Sequence, residues 1–328
     1  MNVKEALIKT LAENNGGYIS GAALAEQLGV SRNAVWKAVK SLEAEGYAIE
    51  SVASKGYRMS QENNRLSAGF ISSGLNTRSL GRNIFVLDET ESTNNDAKEK
   101  AAAGASHGTV VIADRQTMGK GRLGRSFISP SGTGIYMSVV IRPEFSIELS
   151  PMMTTAAAVA TAEAIEALCG KAVQIKWVND IYMNGKKIVG ILTEASLGLE
   201  MRSLEYAVIG IGVNVRSVRG EFSAELSETA SSIEDETGIA VDRNRLCSEI
   251  LNRLEYYIET IELRRFLSGY RSRELLTGND ITAVLGSRQI TGKALGIDDN
   301  TNLIVEFPDG TVKHIGSGEA NLCRIKKK

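Results

Sequence analysis

Histidine and cysteine are scarce in this chain: His107 and His314, with Cys169, Cys247 and Cys323, are all that 328 residues hold. The histidines are distant from each other and from any cysteine, and no Cys-x-x-Cys occurs, which argues against a zinc site. An odd number of widely spaced cysteines reads as free thiols in a reducing compartment. Net charge is nearly absent as well, at −1. No global field therefore recruits nucleic acid or membrane, and any DNA binding must come from a local patch. No apolar run approaches about 18 residues, so no transmembrane helix is expected, and the charged start at Lys4, Glu5 and Lys9 does not read as a signal peptide. Cytoplasmic residence is the expectation. What is present, 43% apolar and 23% charged residues, is the composition of a folded globular protein long enough for two or three domains.

The first 60 or so residues read as a small helical module with a β-ribbon. Val3 to Ala12 forms an amphipathic helix with Leu7, Ile8 and Leu11 on one side. Ser20 can cap a second helix that ends at Gly29. Ser31 caps a third, whose buried stripe is Ala34, Val35, Ala38, Val39 and Leu42. Residues 47–52 and 56–59 can pair across a turn carrying Lys55. Helix, short glycine turn, helix and hairpin make a winged helix-turn-helix pattern. The last helix would lie in the major groove, with Arg32, Asn33, Lys37 and Lys40 toward bases or phosphates and Lys55 on the wing. Three cations and no acid between Arg32 and Lys40 favour DNA over a helical interaction module with a solvated basic face.

Residues 61–80, with Gln61, Glu62, Asn63, Asn64 and Arg65, read as a linker or capping segment. From about 81 to 270, strand-like and helix-like runs alternate. Strands are expected at 84–87, 110–113, 135–142, 173–177, 187–194 and 207–215. Helices are expected at 95–103, 151–168 and 243–266. The order suits an α/β core built on a mixed sheet with helices on one side. The last 50 or so residues alternate short strands with turns at Gly286-Ser287, 298–300 and 308–310, reading as a small β-barrel before a solvated Lys326-Lys327-Lys328 tail. Domains are expected at 1–65, 66–275 and 276–328.

The most informative stretch is Gly119-Lys120-Gly121-Arg122-Leu123-Gly124-Arg125-Ser126-Phe127. Three glycines let backbone approach a ligand, and three cations with no acid offer donors to phosphate or carboxylate oxygens. The glycines match G-x-G-x-x-G, but no strand runs into the first one and no helix opens after the last, as a dinucleotide site requires. The G-K-[ST] ending of a Walker loop is absent. A solvated basic turn is the bland alternative.

Other segments weigh against that alternative. They are Ser92-Thr93-Asn94, Lys176-Trp177-Val178-Asn179-Asp180, Lys187-Ile188-Val189-Gly190-Ile191-Leu192-Thr193-Glu194 and Gly210-Ile211-Gly212-Val213-Asn214. With the glycine loop, they resemble in the same order the S-T-N, G-R-G-R-x-G-R-x-W, K-W-P-N-D…K-x-x-G-I-L-x-E and G-I-G-x-N segments of bacterial biotin–protein ligases. The likeness extends to the bifunctional ligases that carry an N-terminal winged helix and repress biotin genes. It implies a central fold like class II aminoacyl-tRNA synthetases and an SH3-like C-terminal β-barrel. It also implies that biotin and ATP form biotinyl-5′-AMP, after which a lysine of a biotin carboxyl carrier protein domain attacks the mixed anhydride. The adenylate would double as corepressor, favouring a homodimer on operator DNA, with no membrane involved. Charge builds on phosphate, so such a catalyst needs cations and orientation more than a covalent nucleophile.

By the same resemblance, Ser92, Thr93, Asn94 and Gln116 bind the ureido head of biotin, and Gly119, Lys120, Gly121 and Arg122 fold over biotin and adenylate. Lys187 contacts the biotin carboxylate and α-phosphate, with Arg122 and Lys176 as further catalytic cations. Asn179 and Asp180 serve phosphates and Mg²⁺, Phe127 covers the adenine or packs beneath it, and Asn214 meets the intermediate. The residues alone leave other roles open: Asn94 as a helix cap, Lys187 as one of an exposed pair with Lys186, Asp180 as a turn residue, and Gly210 and Gly212 as packing glycines. Three positions depart from the family: Lys120 for arginine, Val178 for proline and Phe127 for tryptophan. Lysine keeps the charge but loses the planar fork. A lipoate-type adenylating ligase lacks the glycine loop. A sensor with a dead ligase core would not need Lys187, Arg122 and Lys176. The loop's glycines predict a flexible segment that orders on its ligand.

Overall fold

The computed structural model describes residues 3–14, 16–60, 64–197, 204–285 and 288–323. The Gly286-Ser287 turn, the lysine tail, and Gln61, Glu62 and Asn63 lie outside these residues.

Helices α1 (Val3–Glu13), α2 (Gly21–Gln27) and α3 (Arg32–Ala44) pack around Leu7, Leu11, Leu24, Val35, Val39 and Leu42. Ser20 and Ser31 cap α2 and α3, each hydroxyl accepting an N–H three residues on at 3.1 Å. Strands β1 (Ile49–Val52) and β2 (Gly56–Met59) form the expected antiparallel wing. The wing is pinned to the lead of α2 by two backbone bonds between Ile19 and Tyr57, at 2.8 and 2.9 Å. Gly56, at φ +100°, lets the wing come that close; a Cβ there would overlap the Ile19 backbone.

Of the two readings of residues 61–80, a linker or a capping segment, the structure excludes a free linker over the described residues. Leu66, Ile71 and Leu80 are buried, and α4 (Ala68–Ser73) lies between α1 and the long helix Arg243–Glu259. Gly69 permits the α1 crossing, since a Cβ there would stand 2.9 Å from Ile8 Cγ2.

The remaining elements are β3 (Ile84–Thr90), α5 (Thr93–Ala102), β4 (Val110–Gln116), β5 (Gly134–Ile141), α6 (Met152–Cys169), β6 (Gln174–Lys176), β7 (Asp180–Met183), β8 (Lys186–Leu197) and β9 (Leu204–Asn214). They continue through α7 (Ala224–Thr229), α8 (Ile233–Thr237), α9 (Arg243–Glu259) and α10 (Leu267–Arg273). Seven of the described strands form one mixed sheet in the order β3-β4-β5-β9-β8-β7-β6, with β3 and β4 parallel and the other pairs antiparallel. Helices cover both faces rather than one. Val110 and Ile112 point to the side of α6 and α9, while Val111 joins Ala97 and Ala101 of α5 on the other. That alternation explains why every residue of β5 is buried. The helix expected at 243–266 stops at Glu259, before a short 3-10 turn that ends with Arg264 at φ +52°.

The apolar runs need a correction. Helix α6 is 18 residues long and apolar enough to cross a membrane by length and composition. It is instead a core helix, with 72% of its residues buried inside the fold.

The C-terminal region also differs from expectation. Strands β10 (Asp280–Leu285), β11 (Arg288–Ile297), β12 (Leu303–Glu306), β13 (Val312–Ile315) and β14 (Glu319–Leu322) form a sheet in the order β13-β12-β11-β10-β14. Its edge strands β13 and β14 do not pair with each other among the described residues, so this is an open sheet and not an SH3-like barrel. Its apolar face (Ile281, Ala283, Ala294, Leu303, Val305, Ala320) is continuous with the central core. Burial against a neighbour removes the need to curl the sheet onto itself. Trp177 Nε1 donates to Thr301 O across this seam at 3.0 Å.

Candidate active site

Two adjoining chambers open at the ends of β4, β8 and β9, sharing Lys120, Phe127, Gly190 and Leu192 in their walls. The Phe127 ring divides them. It lies on two glycines of neighbouring strands, where a Cβ on Gly212 would stand 2.7 Å from the ring and one on Gly190 would stand 3.2 Å away. Tyr136 meets the ring edge-on at 6.4 Å between centroids. Gly210 and Gly212 are thus packing glycines, but what they make room for is the site.

The first chamber is polar and nearly uncharged. Ser92, Thr93, Asn94 and Gln116 all line it. Gln116 Oε1 accepts from Thr93 N at 2.9 Å and Thr93 Oγ1 at 3.1 Å, while its Nε2 donates to Ser129 Oγ at 2.9 Å. Asn94 is no cap. Its Nδ2 donates to Glu194 Oε2 at 2.8 Å, its Oδ1 accepts from Ser138 Oγ at 2.6 Å, and its head fills the space Gly210 leaves. Burial works against the charge on Glu194, but hydrogen bonds from Lys98 and Asn94 hold its carboxyl below the usual range. Ser92, itself buried, stands at the N-cap of α5 without a side-chain bond to the helix.

The second chamber is cationic. Lys120, Gly121, Arg122, Lys176, Asn179, Asp180 and Lys187 line it. Lys187 Nζ lies 2.8 Å from Asp180 Oδ1, across the β7–β8 hairpin. That buried oxygen has no hydrogen-bond geometry to any described group, so the lysine serves it as a charge partner only. Lys187 is therefore a wall residue and not half of an exposed pair, and Asp180 is the first residue of a strand and not a turn residue. Arg122 donates to Asn179 Oδ1 at 3.2 Å. Lys120 makes a single bond to Asn95 Oδ1 at 2.7 Å, as expected of a point charge where the family has a fork. The Trp177–Val178 peptide beside them is cis.

The glycine loop folds as a tight hairpin, with Gly121 N bonded to Arg125 O at 2.7 Å and Leu123 and Gly124 both at positive φ. Gly119 lies under the hairpin, outside both chambers, and its N-terminal arm bonds Phe127 N through Gly119 O at 2.8 Å. Asn214 also lies outside the lining. Its Nδ2 donates to Ser231 O at 2.9 Å, and Ser231 N donates to Lys187 O at 3.0 Å, so it buttresses the lysine strand from behind.

The C-terminal sheet completes the cationic chamber, which no local sequence signal announced. Glu319 holds Arg125 through two bonds at 3.0 and 2.7 Å. Asn321 Oδ1 accepts from Lys176 Nζ at 2.5 Å. Burial pulls the Lys176 pKa down, against the nearby carboxylates of Asp180 and Glu319. Ser138, Tyr136 and Asn95 were missed too, because only the fold brings them to the motifs. Glu194 was inside a recognised segment.

Arg32, Asn33, Lys37 and Lys40 are exposed together on α3, and Lys55 sits at the wing; none lines a chamber. Lys40 is paired with Glu43 at 2.6 Å, an acid just beyond the acid-free run. Lys55 lies over the Tyr18 ring at 5.6 Å.

Residues 86–214 match the family described as biotin/lipoate A/B protein ligase, 3–58 match an HTH domain, and 278–322 match the biotin protein ligase C-terminal domain. The chain is 37% identical over 323 residues to a bifunctional ligase/repressor BirA of Bacillus spizizenii, covering 98% of both chains. It is 31% identical to the bifunctional ligase/repressor BirA of Escherichia coli, covering 98% of this chain and 97% of the other. Among solved structures, the biotin protein ligase from Aquifex aeolicus in complex with biotin and ATP superposes with a TM-score of 0.61 at 29% identity, covering 74% of this chain and 99% of that one.

Proposed function

We infer how the two chambers divide the work from the premise that this chain belongs to the bifunctional ligase/repressor family of biotin–protein ligases: it is an ATP-dependent biotin ligase that forms biotinyl-5′-AMP, and a repressor. Biotin lies with its ureido head in the polar chamber, against Ser92, Thr93, Asn94 and Gln116, whose neutral donors and acceptors suit an uncharged urea. Its carboxylate passes Phe127 into the cationic chamber. There an oxygen of the carboxylate attacks the α-phosphorus of ATP and pyrophosphate leaves. Lys187, Arg122 and Lys120 stabilise the charge spreading over the phosphate oxygens. An acceptor lysine, on a biotin carboxyl carrier protein domain, then attacks the acyl carbon as its neutral amine, and AMP leaves with the bonding pair. Asn179 positions the nucleotide through Arg122, Gly119 and Gly121 let the loop close over it, and Lys176 supplies a further cation. Asn214 acts from behind, through Ser231 and Lys187.

Among the described residues, no cluster of three metal-binding side chains exists. Mg²⁺ therefore fits only as an ion carried by nucleotide phosphates, with Asp180 as the carboxylate that meets it; bound there, it would neutralise phosphate charge. On the repressor side, Arg32, Asn33, Lys37, Lys40 and Lys55 contact operator DNA, and the adenylate favours a homodimer that spans two half-sites. The working division is a DNA-binding unit at 1–65, a catalytic unit at 66–275 and a C-terminal unit at 276–328.

The carrying observation is the junction, across one aromatic ring, of a polar chamber whose one charge among the described residues is the shared Lys120 with a chamber lined by five cations, Lys120, Arg122, Arg125, Lys176 and Lys187. The test is incubation with biotin, MgATP and a biotin-acceptor domain. Covalent biotin on the acceptor lysine, lost on Lys187→Ala, is expected. Absence of product with the wild-type chain overturns the ligase assignment.

A further inference from the structure

The winged helix carries one side chain that its own fold does not use. Trp36 is the fifth residue of α3 and is 50% exposed, while Val35, Ala38, Val39 and Leu42 on the opposite face fill the core. No ring or cation packs on it among the described residues. An exposed indole is a large apolar surface whose burial against a partner is favourable.

Its neighbours say what the cover is. Arg32 and Asn33 stand one turn before it, Lys37 beside it and Lys40 one turn after it, all exposed on the same face. That face complements a polyanion. The fifth position lies in the N-terminal half of the helix, the part that reaches base edges when such a helix enters the major groove. Lysine and arginine there meet phosphates or guanine edges; an indole body meets neither. The apolar feature of the major groove is the C5-methyl group of thymine. Val52, at the wing, is the other large apolar residue left exposed in the described part of this module.

We propose that Trp36 is a base-reading residue: with α3 in the major groove, its indole packs against thymine methyl groups and supplies sequence discrimination that the surrounding cations do not. This rests on the repressor reading of the winged helix, and it assigns a specificity role to a residue outside the charged set.

The test uses the full chain with biotin and MgATP. Duplexes are enriched from a random pool on the wild-type protein, then remade with deoxyuridine for thymidine, which removes only the methyl groups. The wild type is expected to lose about fourfold in affinity for each methyl it covers. Trp36→Ala is expected to bind both duplexes alike, with an unchanged dependence on salt. Lys37→Ala, in contrast, should weaken both equally and lower the salt slope by about one. Because Trp177 is only 3% exposed, acrylamide quenching of the chain's two tryptophans reports mainly on Trp36, and DNA should abolish it. Equal thymine preference in wild type and Trp36→Ala overturns the proposal, as does a wild type indifferent to the methyl groups. Quenching that is already protected without DNA assigns Trp36 to a protein contact and overturns it too. Recovery of no duplex at all overturns the repressor reading, and this inference with it.

Discussion

Arg243 and Asp114 form an ion pair at 2.8 Å that ties the first turn of α9 to the strand leading into the glycine loop. The guanidinium is buried and each of its three nitrogens donates a hydrogen bond. It also donates to Gly134 O at 2.9 Å, to Asn64 Oδ1 at 2.9 Å and to the Asn64 carbonyl. Asp114 accepts in turn from Ser131 and from Gly132 N. One arginine thus fastens both the chain leaving the winged helix and the base of the ligand loop.

Removing that arginine leaves a half-buried carboxylate without its charge partner. Arg243→Leu is expected to cost about 3–5 kcal/mol of stability, read as a fall in Tm at neutral pH. Burial opposes the charge on Asp114, but bonds from Ser131 and Arg243 hold its pKa below the usual 3.8. The folded-state value lies below the unfolded one, so the stabilisation is complete above the ordinary aspartate range. It is lost as pH falls through the depressed value. Asp114→Asn should flatten the acid limb of the Tm profile below about pH 4; an unchanged limb would refute the assignment.

Gly210 exists for Asn94. An added Cβ would land on Asn94 Oδ1, displacing the amide from Ser138 and Glu194. Gly210→Ala should raise KM for biotin by about tenfold or more, as expected when a buried polar contact is misplaced, while KM for ATP moves little. Equal effects on both substrates would mean general damage to the sheet.

Glu319 reaches from the C-terminal sheet to the glycine loop. With its bond to Arg125 gone, in Glu319→Gln, proteolysis within 119–126 should accelerate in the free protein. Biotinyl-5′-AMP should slow cleavage in both forms if ligand oxygens order the loop. Cleavage at the same rate with and without the adenylate would remove the ordering idea.

Lys176 titrates below the ordinary lysine value of 10.5, chiefly because it is buried. Its charge is lost as pH rises through that lowered value. The alkaline limb of the adenylation rate should therefore lie below the ordinary lysine value of 10.5, and Lys176→Arg should push it upward. A limb that ignores the substitution would show that this cation does not assist the reaction.

Much of this protein was decided locally. Serines at 20 and 31 cap helices because a hydroxyl satisfies a free N–H wherever a helix starts. The glycine loop and the segments around Asn94, Asn179 and Lys187 were legible because close backbone approach and clustered cations call for particular residue types in a row, and the fold brings these segments to adjoining chambers. What the sequence alone could not decide were relationships between distant segments. The region around Ile71 looked polar enough for a linker, yet its few apolar residues are claimed by α1 and α9. Helix α6 was legible as a helix, but its burial was decided by one face of the central sheet together with α9 and α10. The five C-terminal strands carried the turns of a closed barrel, and stayed open because the central core buried their apolar face first. Glu319 and Asn321 have no motif, since a carboxylate and an amide become part of a site only through the cations they face. Local chemistry writes caps, turns and ligand loops; burial, which depends on every segment at once, decides the rest.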